Sequence, residues 1–501
     1  MKSLKEKLFN LFQPIDLTKG KPWKVILYFA LPIFISYLFQ QIYAMADSMI
    51  VGLNLPNQFA GVSDTSSLSF IILQFAFGAT AGFSVLTSKM VGKRDINGIR
   101  KSFAISIWVS LIISIVLTVA AILATNFLLS LVQVTPENDM VTYQAAYVYI
   151  TIIFGGLIGQ VFYNLICSVL RAIGDSVIPL VFLIASSILN IVLDIIFVKF
   201  MPTEILGVAG AAIATIVAQA AAAIGCFIFT FIHYPQLRLS RKDFAIDWKF
   251  TYEHIKSGFP LGFQFSILAI GLITLQGAIV KFDLGTSLHA AQDGYGAASK
   301  FTQFLFSPLN AIGTAMISYV SQNLGNKQFE RIKQGCIQAY ILGLIATLLV
   351  QVLGFILCIN GAYLYLFIQG DAVSESTIFY GTYYMFCTLP FYYILSLLFI
   401  CRNSIQGLEK SFYPFIAGVA ELVARTVISI YIPQWVSPDN LVSSAAFIGV
   451  SFSDCLAWIA ADICLFYPMI RYIHLGKMKN IKIETIEEQN SAPLDLKKKS
   501  E

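Results

Sequence analysis

Apolar residues run through this chain in long blocks separated by short polar breaks. Twelve such blocks can be marked off, roughly 25–51, 64–88, 102–126, 141–170, 177–199, 207–232, 257–281, 297–322, 336–358, 378–401, 412–432 and 445–470. A helix rises about 1.5 Å per residue, so roughly 20 apolar residues cross the hydrocarbon core of a bilayer. The pattern therefore predicts an all-α membrane protein with twelve transmembrane helices. The first block is too long for the h-region of a signal peptide and lacks a small-residue cleavage site.

The breaks between blocks carry charge unevenly. Lys89, Lys93, Arg94, Arg100 and Lys101 follow span 2, Arg171 follows span 4, and Arg238, Arg241, Lys242 and Lys249 follow span 6. Lys327, Arg331 and Lys333 follow span 8, Arg402 and Lys410 follow span 10, and Arg471 and Lys477 follow span 12. The alternate breaks are nearly free of Lys and Arg, so the positive-inside rule places both termini in the cytoplasm. The segment LKEKLFNLF near the start fits a short amphipathic helix on the membrane surface, and the tail after Lys477 is polar and expected to be disordered.

The two halves repeat. Pro32 in span 1 corresponds to Pro260 in span 7. SKMVGKRDINGIRKS at the end of span 2 echoes SQNLGNKQFERIKQG at the end of span 8, and RAIGDSVIP after span 4 echoes RNSIQGLEKSFYP after span 10. Six spans per half means that equivalent spans run in the same direction. Two six-helix bundles related by a pseudo-two-fold axis along the membrane normal follow, with a cavity between them. The expected organisation is a cytoplasmic N-terminal segment (1–24), an N-lobe (25–233), a cytoplasmic linker (234–255), a C-lobe (256–472) and a cytoplasmic tail (473–501).

Composition supports the membrane reading and excludes others. Of 501 residues, 57% are hydrophobic and 12% charged, against about 25% charged in soluble domains; the mean hydropathy is +0.75. The net charge of +5 sits in loops and tails, which reads as topology and lipid contact, not nucleic-acid binding. The eight cysteines form no CxxC pair and read as buried small hydrophobes. No catalytic constellation is visible, and His233, His254, His289 and His474 are scattered in loops or at span ends, so an enzyme is not expected.

Acids inside apolar spans are costly and point to function. Asp47 interrupts span 1, and counting from the outer ends places Asp47, Asp194, Asn190 and Thr215 all roughly 6–13 Å below the outer boundary. Asn190 and Asp194 are i, i+4 on one helical face, and Tyr43 stands in the same relation to Asp47. Two carboxylates, an amide, a hydroxyl and a phenol at one depth suit a proton or cation site. Two carboxylates in a poorly solvated pocket cannot both stay ionised cheaply, so one could trade a proton; the same oxygens of Asp47, Asn190 and Asp194 could instead ligate Na⁺. In the second half, Leu275 stands where Asp47 would be. Its acids come later, at Glu421, Asp454 and Asp462, with Arg425 placed i+4 to Glu421 for a buried ion pair. Asp454 falls at roughly the position of Thr215. Pro32 could act as a hinge in span 1.

These residues resemble the multidrug and toxic compound extrusion (MATE) family, in a superfamily that includes lipid-linked saccharide flippases. The marks are LP followed by ADSMIVG in span 1, SKMVGKRD, RAIGDSVIP, NIVLD in span 5, GAAIAT in span 6 and ELVAR in span 11. The resemblance covers about 25–472 and implies a V-shaped antiporter exporting organic cations or other amphiphiles against inward H⁺ or Na⁺. It implies coupling in the first lobe by Asp47, Asn190, Asp194, Thr215 and Tyr43. Apart from the coupling ion no cofactor is expected. The expected partners are an amphiphilic, cationic small molecule and the lipid bilayer, for a monomer in the plasma membrane. The alternatives are a flippase of lipid-linked saccharides, which should need cationic residues in the cavity to hold pyrophosphate, and a dedicated metabolite exporter. Few basic residues other than Arg425 lie deep within the spans as drawn from sequence, which favours a cationic substrate.

Overall fold

The computed structural model describes residues 14–132, 134–137, 139–200, 207–284, 289–368, 373–474 and 476. The amphipathic segment expected near the start and most of the expected tail lie outside these residues. Helices fill the described chain, and no strand occurs among the described residues. In the first half they are α1 (Pro22–Asn54), α2 (Pro56–Lys93), α3 (Ile96–Leu123), α4 (Thr125–Leu131), α5 (Met140–Gly155), α6 (Leu157–Ala172), α7 (Val177–Asp194) and α8 (Gly207–His233). The second half holds α9 (Trp248–Val280), α10 (Ala290–Gly325), α11 (Phe329–Cys358), α12 (Glu375–Thr388), α13 (Tyr392–Gly407), α14 (Phe412–Val436), α15 (Ser444–Ser451) and α16 (Ser453–Pro468).

Local chemistry sets the helix starts. Pro22 and Pro56 occupy first-turn positions, where no backbone N–H is missed. The side chains of Asp95, Asp139, Asp247, Ser374 and Ser443 accept from first-turn N–H groups. Asp247 also receives Lys101 Nζ at 2.7 Å, and this bond holds its carboxyl below the usual carboxylate range. Eleven helical stretches are long and apolar enough to cross a membrane, and α5 with α6, bent by 46°, supply a twelfth. Span 4 is thus two helices where the sequence pattern gave one. The break falls at Gly155 and Gly156, and the side chain of Ile216 packs where a Cβ on Gly156 would stand. Span 10 is likewise interrupted by a 3₁₀ turn at Leu389–Phe391 that contains Pro390. Pro32, Pro260 and Pro308 sit inside α1, α9 and α10.

The helices form two bundles, α1–α8 and α9–α16. Their seam is built by α1 and α2 against α9 and α10, with α2 on α9 the most extensive pair. Lipid tails are as apolar as the helices, so such a seam depends on close packing and small residues. A Cβ on Gly82 would come within 2.5 Å of Gly258 Cα. Ser257 Oγ donates to Gly82 O at 2.9 Å, and Ser266 Oγ to Ile71 O at 2.9 Å.

The lobes meet over the half of the molecule nearest the described ends of the chain. There Lys89 Nζ pairs with Glu409 at 2.8 Å, Gln322 Nε2 donates to Ala172 O at 2.8 Å, and Asn323 Nδ2 donates to Leu17 O at 3.1 Å. Ser266 and Ile71, near the middle of their helices, mark the limit of this zone. Among the described residues no inter-lobe hydrogen bond or ring contact lies nearer the opposite face. Lys89, placed in a loop by sequence, is therefore buried at the end of α2, because the seam covers it.

Gly92 sits where α2 meets α10, and a Cβ there would collide with the backbone oxygen of Gln322. Overpacking of this kind costs about 1–3 kcal/mol. Gly92→Val should therefore shift the population at least about fivefold away from this closed seam. Spin labels on Ile96 and Lys333 in a cysteine-free background should report a longer distance; an unchanged distance would mean that the close approach at Gly92 does not hold the lobes together.

Candidate functional site

In α1, Tyr43 and Asp47 are one turn apart and half-buried. In α7, Asn190 is 1% and Asp194 0% exposed. A π-helical turn, Ile195–Phe200, begins directly after Asp194; such turns re-phase the backbone ladder and occur often at functional sites. The helices bring the two carboxylates together, and Asp47 and Asp194 touch across the α1–α7 contact. With its amide oriented to satisfy both ends, Asn190 donates to Asp194 Oδ2 at 2.9 Å and accepts from Thr215 N at 3.1 Å. The Asn190 amide also lies 3.3 Å from Thr215 Oγ1, and the Tyr43 hydroxyl bonds Thr215. The four residues selected by depth counting, and Tyr43 selected by its spacing from Asp47, thus form one cluster.

One oxygen of each carboxylate, Oδ1 of Asp47 and Oδ1 of Asp194, is buried without a hydrogen-bond partner. Orphaned buried acceptors are costly, and two of them on touching carboxylates fit a bound proton or a small hard cation. Tyr149 of α5 lies in the neighbourhood of Asp47, Tyr43 and Asp194. Sequence reasoning missed Tyr149, although the signal was present. Span 4 begins at the outer boundary, and eight residues of helix put Tyr149 at the depth of Thr215.

The second-lobe candidates form a different arrangement. Arg425 binds Glu421 at 3.1 Å and Asp454 at 2.8 Å, Arg402 binds Glu421 at 2.5 Å, and Tyr384 donates to Asp454 at 2.6 Å. Asp462 lies near Arg402 and Glu421, with both carboxylate oxygens buried and unpartnered. Except for Asp462 this is a closed network of opposite charges. Counting from Pro179 and Pro414, Asn190 and Arg425 are equivalent positions, so the Asn190–Thr215 bond is matched by the Arg425–Asp454 ion pair.

A cavity of about 600 Å³ lies between the lobes. Tyr43, Asn190 and Thr215 reach its wall, while Asp47 and Asp194 stand behind them. The other walls mix aromatic rings (Phe77, Phe265, Phe399) with amides (Gln74, Gln219, Asn310). Two arginines face it, Arg171 at the end of α6 and Arg402 in α13. This corrects the sequence reading, which put both in loops and counted few cations deep in the spans. The helices run past the apolar blocks at this end because the seam buries them, and Arg402 is 5% exposed. The internal repeat carried a signal, since both arginines open the repeated links RAIGD and RNSIQG. Of the aromatic residues in span 10, Tyr384 and Tyr392 are buried within their own lobe, away from this wall. His254, assigned to a span end, is buried in α9 between Ser102 at 2.9 Å and Phe250 O at 2.8 Å. Seven of the eight cysteines are buried and all are free thiols.

Known proteins share this architecture. The chain is 28% identical over 322 residues to the Probable multidrug resistance protein YpnP of Bacillus subtilis, covering 63% of this chain and 68% of that one. It is 23% identical to the Probable multidrug resistance protein NorM of Thermotoga maritima, covering 66% and 70%. A solved outward-facing conformation of a multidrug resistance MATE family transporter superposes with a TM-score of 0.80 at 20% identity, over 93% of this chain and 99% of that one. A family model described as MatE matches residues 32–196 and 284–431, more than half of the chain. Its two matched stretches fall one in each lobe, and this protein is a member of the MatE family of multidrug efflux transporters.

Proposed function

We propose that this protein exports amphiphilic small molecules from the cytoplasm across the plasma membrane in exchange for inward-moving protons, with both termini cytoplasmic. The observation that carries the reading is the direct contact of Asp47 with Asp194, each with an orphaned buried oxygen, one layer behind the cavity wall. Two ionised carboxylates repel, whereas a single shared proton turns the contact into a hydrogen bond. Protonation would therefore draw α1 toward α7. Pro32 lacks the backbone N–H that would stiffen α1, and Ser36 Oγ already takes the Pro32 carbonyl at 2.8 Å, so α1 can bend at low cost. Movement of α1 shifts Tyr43 and, through Thr215 and Asn190, the wall that substrate touches. Proton and substrate thus favour different wall positions, which is the differential binding that coupling requires.

In this account the state described here has its cytoplasmic seam shut and its cavity facing outward, the side from which the proton arrives. The segment 234–255 joins the lobes on the cytoplasmic side, and the transporter works as a monomer. Na⁺ in place of H⁺ would use the same oxygens of Asp47, Asp194 and Asn190. The second-lobe network of Arg402, Glu421, Arg425 and Asp454 serves as a structural brace. A second reading, flipping of lipid-linked saccharides, draws support from the two guanidiniums on the wall.

Proteoliposomes carrying the protein, with ethidium and a carboxyl-bearing rhodamine tested separately, check the proposal under imposed H⁺ or Na⁺ gradients. Dye movement driven by the H⁺ gradient alone supports it. Movement driven only by Na⁺ overturns the choice of ion, and no movement of either dye under either gradient overturns antiport of soluble amphiphiles and favours the flippase.

A further inference from the structure

We propose that Arg171 makes the central cavity a site for amphiphiles that carry an acidic group, a carboxylate or a phosphate. The inference deepens the export reading above, since it takes the cavity as the substrate site. Among the described residues lining the cavity, Arg171 and Arg402 are the only charged side chains. No carboxylate faces the space: Asp47 and Asp194 are screened by Tyr43, Asn190 and Thr215, and Glu421 lies behind Arg402.

The two arginines are equivalent in the internal repeat, and their surroundings differ in one decisive respect. Arg402 has a counter-ion built into its own lobe, Glu421, at 2.5 Å. Seven residues past the matched prolines, where the C-lobe has Glu421, the N-lobe has Ser186, whose hydroxyl donates to Ala218 O at 3.1 Å. Arg171 therefore meets no carboxylate at the equivalent position. It donates to the Ser168 hydroxyl at 3.2 Å, and the rings of Tyr37 and Tyr163 stand near it. A cation in a membrane-embedded cavity without a counter-ion is costly, and a guanidinium fork matches carboxylate or phosphate oxygens. Across the cavity, Arg402 Nε is also buried without a hydrogen-bond partner. The apolar rings on the wall would take the hydrophobic part of the same molecule, and a cation without an acidic group would meet net positive charge.

The test uses purified full-length protein and two dyes on one scaffold, a rhodamine with a free carboxylate and its methyl ester, with binding read by fluorescence anisotropy. A charge-assisted hydrogen bond predicts that the free acid binds about tenfold more tightly. Arg171→Gln should reduce that ratio to about twofold or less, and Arg171→Lys should leave a preference of the same sign. Tighter binding of the ester, or an unchanged ratio in Arg171→Gln, would overturn the proposal. Competition by octanoate or by dihexanoyl phosphatidic acid separates a soluble acid from a lipid headgroup; displacement by either supports the shared chemistry, and displacement by neither counts against it. Binding is measured without an ion gradient, so its outcome is distinguishable from a failure of antiport in proteoliposomes.

Discussion

Asp47→Asn is expected to lower dye export driven by a pH gradient about a hundredfold, the upper range of a typical coupling energy. The asparagine amide can donate permanently to Asp194, so the α1–α7 contact is held in its hydrogen-bonded form whatever the pH. The variant should fold, because the amide satisfies the same partner. Asp194→Asn should behave alike, and the double variant should be no worse than either single one, since the pair acts as a unit. Asn190→Leu should have a smaller effect, because it removes a bond that positions Asp194 without removing the proton carrier. Export rates at a fixed imposed gradient decide the matter. An Asp47→Asn rate within about threefold of wild type would remove the pair from the mechanism.

Arg425→Met should destabilise the protein by about 3–5 kcal/mol, the usual cost of leaving buried charges without their partner. Glu421 would keep Arg402, but Asp454 would keep only the Tyr384 hydroxyl. Adding Asp454→Asn to Arg425→Met should recover most of the loss, since a neutral partner at 454 no longer needs a cation while Glu421 keeps Arg402. Thermal unfolding of the protein in lipid nanodiscs reads this directly. Equal midpoints for wild type and Arg425→Met would mean that the network does not brace the second lobe. At matched positions one lobe carries a neutral Asn190–Thr215 bond next to the Asp47–Asp194 contact, and the other an Arg425–Asp454 ion pair.

Much of this was legible in the sequence because helices impose simple distances. Spacing of four residues correctly paired Asn190 with Asp194 and Glu421 with Arg425, whereas the Tyr43 hydroxyl, one turn from Asp47, bonds Thr215 instead. Counting rise from the outer boundary brought residues of α1, α7 and α8 to one level, and the structure joins them. What distance along a helix cannot show is which way a side chain faces. Asp47 and Asp194 have the right depth but sit behind the wall, so they do not lend the cavity the negative charge that a cationic substrate would want. Arg171 and Arg402 were assigned to loops because the apolar blocks end before them, whereas burial between lobes extends the helices past that point. The break between Gly155 and Gly156 escaped notice because both flanks are apolar. The contacts Arg402–Glu421 and Tyr384–Asp454 join residues far apart in sequence, and no local pattern encodes them.

The central claim is that substrate and proton compete through Asp47 and Asp194. It is tested most directly by mixing the carboxyl-bearing rhodamine with purified protein in weakly buffered solution and following pH. The account predicts that binding releases protons, up to about one per bound dye, and that Asp47→Asn binds the dye without release. Binding to wild type with no change in pH, or equal release from the variant, would contradict it.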